Sequence, residues 1–191
     1  MAKLSRILSG IQPTGVPHLG NYLGALRSWV DAQSENECMP MIADLHALTV
    51  PQVPNDLITN TRTLTVALMA MGIDTNKSIL FRQSRISQHA ELAWIFFCRT
   101  PVGWVKRMHQ WKTKTGTHDA TEGDMIPSLN IGLLSYPVLQ AADIMLYKAT
   151  KVPVGDDQSQ HLNLAADICQ SFNGHYMKNV FPVPRGGKHC S

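Results

Sequence analysis

Short apolar runs alternate along the chain with longer segments that repeat at helical spacing. Residues 4–8 form the first apolar run, broken by Ser5 and Arg6. Leu23, Leu26, Trp29 and Val30 follow at helical spacing and predict a helix over 19–32. Residues 38–43 (CMPMIA) read as a buried strand that ends at Asp44, Leu45 and His46. Leu57, Leu64, Leu68 and Met71 make a core stripe on a helix that Asn55 or Asp56 would cap and that stops at Gly72. Residues 78–81 read as a strand, and 89–98 as a helix apolar enough to be buried. The segment 136–147 is a helix with Pro137 in its first turn. Residues 152–154 read as a short strand, and a last helix carries His161, Leu164 and Ile168. This alternation argues for an α/β fold, a parallel sheet with helices on both faces.

Composition refines this picture only slightly. A length of 191 residues suffices for one domain with a sizeable core, and 44% apolar with 16% charged residues is globular. A net charge of +3 permits nucleic-acid contact without arguing for it. The four cysteines, Cys38, Cys98, Cys169 and Cys190, form no CxxC pair, which favours a reducing compartment and offers no zinc site. No apolar run is long enough to span a membrane. Residues 1–6 are basic but too short for a transit peptide.

Candidate chemistry gathers in four stretches. The first, SGIQPTGVPHLGNYLG at 9–24, is a glycine-containing loop between a strand and a helix. Helix N-termini present unpaired N–H groups and the positive end of a dipole, which suits phosphate. Gly10 and Gly15 let the backbone turn, and Gly20 does so where the helix opens. His18 can donate into the same space. A phosphate-binding loop and a plain strand-to-helix turn both fit. The second is His46, at the carboxyl end of a strand, where α/β sheets hold ligands; a satisfied buried histidine fits equally. The third is the basic run KRMHQWKTK at 106–114, read as a solvated helix face except at Lys112 and Lys114, before a loop over 115–130 rich in Gly, Thr, Asp and Pro. In the fourth, Gln140, Asp143 and Tyr147 share one helix face. Asp143 stands in the apolar run AADIML and needs a donor, either a backbone group or arginine of the fold or a group on a substrate. Gly155, Asp156, Asp157 and Gln158 form a turn into the last helix, fit for ordinary capping or for a ribose hydroxyl.

SGIQPTG at 9–15 followed by HLGNY at 18–22 resembles the opening of tryptophanyl-tRNA synthetases, and HLGN matches the class I "HIGH" signature. DLHALTV at 44–50, residues 136–147 and residues 152–161 match that family in the same order. The resemblance covers residues 7–182. HQWK at 109–112 and LQAAD at 139–143 look more like the mitochondrial branch than the bacterial one.

The resemblance implies a Rossmann-type class I synthetase catalytic domain over 1–182, with 183–191 a divergent tail. It implies ATP-dependent activation of L-tryptophan and its transfer to tRNA(Trp), a homodimer without membrane contact, and a mitochondrial matrix or else cytoplasmic location. Gln12, Pro13, Thr14, His18, Gly20 and Asn21 would contact ATP, with Gly155, Asp156 and Asp157 on its ribose and adenine side. Asp143 would accept the indole N–H, with Tyr136, Gln140, His46 and Gln158 completing the amino-acid pocket. His18, Asn21 and Lys114 (or Lys112) would be the catalytic groups, with Mg²⁺ held by the phosphates and no metal cage of protein ligands. Three departures stand out. The lysine-rich KMSKS signature and the helical anticodon-binding domain are missing from these residues, as expected of a truncated form that binds tryptophan and ATP or pairs with a full-length subunit. Asp156 stands where the family usually has Glu. The loop at 115–130 is longer than usual.

Overall fold

The computed structural model describes residues 5–15, 17, 20, 22, 26–108, 111, 130–153 and 159–187. Among them the strands are β1 (Arg6–Ile11), β2 (Glu37–Ile42), β3 (Phe81–Arg82), β4 (Lys151–Pro153) and β5 (Arg185–Gly187). Their order in the sheet is β3-β2-β1-β4-β5, and every pairing is parallel. Parallel neighbours need long crossovers. These contain α1 (Arg27–Ala32), α2 (Asp44–Ala47), α3 (Pro54–Ala70), α4 (Gln88–Phe97), α5 (Val102–Lys106), α6 (Ile131–Leu146) and α7 (Ser159–His175). The order reverses between β1 and β4, and in such sheets the crevice beyond the strands' carboxyl ends at that point holds ligands.

Strand residues alternate between two cores, as a pleated strand requires. Leu8, Met39 and Met41 face one side, beneath Phe96 of α4, Val138 and Ala142 of α6, and Ile168 of α7. Ile42 faces the other side, with Trp29 of α1 and Leu64 and Leu68 of α3. Burial on both faces explains why β2 reads as a continuous apolar run. At the amino edge of the sheet, Arg6 donates two bonds of 2.9 Å to the Glu37 carboxylate and one of 2.6 Å to the Tyr147 carbonyl. One side chain thus ties β1 to β2 and to the end of α6.

Several elements depart from the sequence reading. Helix α3 is not capped by Asn55 or Asp56. Val53 occupies the cap without a side-chain bond, and Pro54 supplies the first turn, where its missing N–H costs nothing. Helix α4 is not buried throughout: Ala93 and Phe96 are buried, while Trp94 is 68% exposed and Ile95 and Phe97 face outward. Helix α6 begins at Ile131, so Pro137 is interior to it. Asn130, read as part of the preceding loop, is its N-cap: Oδ1 accepts from the Leu133 N–H at 2.8 Å, and Nδ2 donates to the Thr49 carbonyl at 3.0 Å. An interior proline forfeits the bond to the Leu133 carbonyl and costs ~3 kcal/mol. The buried Leu133, Val138, Ile144 and Met145 outweigh that at ~1.5–3 kcal/mol each. Gly10 lies within β1, not in a turn; a Cβ there would stand 3.3 Å from Met41 Cε. Strand β5 adds residues 185–187 to the sheet, beyond position 182.

Phe96 is fully buried, with the Phe172 and Phe181 rings edge-on at 5.6 and 5.8 Å. Phe96→Ala should destabilise the fold by about 3–5 kcal/mol, read as a lowered urea midpoint. Val66→Ala, on the exposed face of α3, should stay within about 0.5 kcal/mol of the parent.

Candidate functional site

The carboxyl ends of β1 and β2 lie side by side, with Ile11 opposite Ile42 and the Ala43 N–H bonded to the Ile11 carbonyl at 2.8 Å. Gln12, Pro13 and Thr14 leave the end of β1. Gln12 and Thr14 are exposed, Pro13 is buried, and the Thr14 N–H closes a tight turn on the Gln12 carbonyl at 2.9 Å. Gly15 follows at φ +154°, a backbone conformation that suits glycine. Gly20 is exposed. Asp44 and His46 leave the end of β2 in α2, so the loop residues and His46 emerge from adjacent strands at one edge of the sheet.

Helix α6 carries Asp143 toward this edge. The carboxylate is 1% exposed and accepts from three side chains. His46 Nε2 donates to Oδ2 at 2.7 Å, and His89 Nδ1 donates to Oδ1 at 2.6 Å. Gln83 Nε2 reaches both oxygens, at 2.8 and 2.9 Å. Gln83 is itself held, its Oε1 accepting from the Leu45 N–H at 3.1 Å. Burial raises the Asp143 pKa, but hydrogen bonds and charge attraction from His46 and His89 more than reverse this and hold the carboxyl below its ordinary value. Asp143 is therefore ionised at neutral pH. An ionised carboxylate only accepts, which places a proton on His46 Nε2 and on His89 Nδ1.

Tyr136, two turns earlier on the same helix face, stands edge-on to His46 with ring centroids 6.1 Å apart, and its hydroxyl lies 3.1 Å from Nε2 of the buried His161. Gln140 is half-buried one turn before Asp143. Of the residues expected in an amino-acid pocket, the structure thus joins Asp143 to His46 directly and sets Tyr136 against His46. His18, Asn21, Lys112, Lys114, Gly155, Asp156, Asp157 and Gln158 lie outside the described residues.

The donors to Asp143 are neither the backbone group nor the arginine anticipated for a structural partner. His89 and Gln83 went unremarked in the sequence. The signal for His89 was its spacing: with Ala93 and Phe96 at i+4 and i+7 it shares the buried stripe of α4. Gln83 sits in a three-residue 3₁₀ turn (Gln83–Arg85) with no periodicity to mark it.

The depressed pKa makes Asp143 a source of stability that is fully present above the unfolded value of about 3.9. It is lost as the pH falls through the lower folded value. Asp143→Asn breaks the buried pairing and should cost about 3–5 kcal/mol at pH 7. Urea unfolding of both proteins from pH 7 downward should show the difference shrinking below about pH 3.9. A difference independent of pH would contradict the ionised pairing.

The family model for class I tRNA synthetases (W and Y) matches residues 2–187. The mitochondrial tryptophan–tRNA ligase of Schizosaccharomyces pombe is 49% identical over 193 residues, covering 94% of this chain and 54% of its own length. The tryptophan–tRNA ligase of Brucella melitensis is 51% identical over 174 residues, covering 91% and 47%. The crystal structure of the Campylobacter jejuni tryptophanyl-tRNA synthetase complexed with ADP and tryptophan superposes with a TM-score of 0.87 at 38% identity, covering 97% of this chain and 56% of that one. The chain spans about half the length of the curated relatives it matches. Mitochondrial and bacterial relatives are equally similar, so the likeness to the mitochondrial branch assigns no compartment. A parallel sheet in this order, a match over nearly every residue and half-identical relatives agree: the chain belongs to the class I tRNA synthetases of the tryptophan and tyrosine family.

Proposed function

We propose that this chain carries the amino-acid- and nucleotide-binding domain of a tryptophan–tRNA ligase, and that it binds L-tryptophan and ATP for tryptophanyl-adenylate formation ahead of transfer to tRNA(Trp). The observation that carries the reading is the buried, ionised Asp143 on α6. A desolvated carboxylate bonded to His46, whose ring Tyr136 meets edge-on, suits a flat ligand with a single N–H. A site built around such a pair rejects analogues that lack the donor. The roughly half-identical tryptophan–tRNA ligases support the amino-acid assignment.

Asp143 has capacity for this partner. Each carboxylate oxygen accepts about two bonds. Gln83 shares its amide between both oxygens, so a shift of that contact onto Oδ1 frees one position on Oδ2. Gln12, Pro13, Thr14, His18, Gly20 and Asn21 would then meet ATP at the end of β1, with Gly155, Asp156 and Asp157 toward its ribose. Gln140 and Gln158 would complete the amino-acid pocket.

The reaction needs no general base, because the tryptophan carboxylate is already ionised. It attacks the α-phosphorus in line, the α–β bridging oxygen bond breaks, and pyrophosphate leaves with the electron pair. Positioning and charge stabilisation on the phosphoryl oxygens supply the acceleration. His18, Asn21 and Lys114 are the groups for this role, with magnesium entering on the ATP substrate.

A second copy of the chain is the proposed partner for the outer face of α4 and α5. Trp94, Ile95, Phe97 and Val102 are exposed there, and an exposed apolar patch marks an interaction surface. Among the described residues no helix is long and apolar enough to cross a membrane.

Tryptophan-dependent ATP–pyrophosphate exchange, with tyrosine as control, tests the chemistry. Exchange with tryptophan alone supports adenylation; tryptophan binding without exchange leaves a ligand-binding protein, and neither overturns the reading. Asp143→Ala should weaken tryptophan binding at least about 100-fold in titration calorimetry while ATP binding persists. In sedimentation velocity, Trp94→Asp should shift a dimer to monomer; an unchanged coefficient would discard the α4–α5 interface.

A further inference from the structure

His89 is fully buried, at 0% exposure, and stands outside the proposed tryptophan and ATP contacts. It sits at the second position of α4 and bridges Asp143 of α6 and Tyr147 just beyond that helix. Nδ1 lies 2.6 Å from Asp143 Oδ1, and Nε2 lies 2.8 Å from the Tyr147 hydroxyl. Asp143 only accepts, so Nδ1 carries a proton. In the neutral ring Nε2 then accepts. Burial and the nearby Asp143 charge push the Tyr147 pKa up to about 12, which keeps the phenol protonated and able to donate. With the ring neutral, the chain of bonds runs one way: Tyr147 O–H to His89 Nε2, then His89 Nδ1–H to Asp143 Oδ1.

The ring is also fixed in plane. Phe81 stacks on it at 6.0 Å and 23°, and the Tyr147 ring packs at 5.4 Å. Tyr147 is in turn anchored through its carbonyl, which accepts from Arg6 at 2.6 Å. Oδ1 of Asp143 is thus held from a rigid cluster away from the ligand edge. Oδ2 meets His46, which lies against Tyr136.

We propose that His89 is a positioning residue for amino-acid specificity: held at Nε2 by the Tyr147 hydroxyl, it donates Nδ1–H to Oδ1 and fixes the Asp143 carboxylate so that Oδ2 is presented to the N–H of the ligand. The inference rests on the reading that Asp143 accepts the indole N–H. Without the His89 donor, Oδ1 keeps only the Gln83 amide, and the plane of the carboxylate is held on that side by one contact instead of two. Oδ2 is then less well aimed, although every proposed ligand contact remains.

Two substitutions separate the donor from the bulk of the ring. His89→Asn keeps an amide N–H near the position of Nδ1, whereas His89→Gln places its amide near Nε2, toward Tyr147. Titration calorimetry would compare tryptophan with β-(3-benzothienyl)alanine, in which sulfur replaces the indole N–H, and with ATP as a probe of folding. The unsubstituted chain should prefer tryptophan. His89→Asn should keep that preference within about threefold, while His89→Gln should lose at least about tenfold of it at unchanged ATP affinity. Tyr147→Phe leaves His89 in place and should lower the preference about threefold or more, which keeps the test decisive if His89→Gln does not fold. Equal losses in the Asn and Gln variants, or an unchanged preference in His89→Gln or Tyr147→Phe, would overturn the positioning role while the indole reading stands. A parent chain that binds tryptophan without preference would remove the indole reading and this inference together.

Discussion

The pairing of one buried carboxylate governs the organisation of this domain. Asp143 sits at 1% exposure in the last turn of an apolar helix, where an unpaired charge would cost several kcal/mol. Its three donors come from α2, from the turn after β3, and from α4. Each element must therefore arrive in a particular orientation for the core under α6 to close. The same pairing leaves the carboxylate ionised and aimed, which a recognition site needs. The stability of the fold and the recognition proposed for it thus draw on one set of atoms.

The geometry also separates two kinds of work along α6. Its outer turns pack: Leu133, Val138, Ile144 and Met145 join α4, α7 and the strands into one core. Its polar face carries Tyr136, Gln140 and Asp143, the residues proposed for recognition. Pro137 lies between these tasks, inside the helix, where it removes a bond that the flanking apolar residues can spare. The strand ends beside this helix contribute backbone turns and small residues, while the helix contributes charge. That division fits a ligand with a flat apolar part and a phosphate-bearing partner.

Much of the fold could be read from periodicity, because strands covered on both faces leave unbroken apolar runs such as residues 38–43. The helix boundaries were less legible. Pro54 and Pro137 show why: proline marks a first turn in one case and a tolerated interior position in the other, and only the packing around it decides. Strand β5 was invisible as a strand because Arg185, Gly186 and Gly187 carry no β-propensity; pairing with β4 makes it one. At the site, Asp143 announced itself as an acid in an apolar run. Its donors did not, because the sequence separations from His46, Gln83 and His89 are 97, 60 and 54 residues. No local pattern connects positions that far apart.

Those separations bear on how the domain reaches its final state. Loops of such length close slowly and late, since the entropy of closure must be met before the contacts form. A compact intermediate that has buried α6 without its partners holds a desolvated carboxylate with nothing to bind it. Such an intermediate is penalised until α2, the Gln83 turn and α4 have all docked. Asp143 thereby disfavours any compact arrangement in which one of these three donors is out of place.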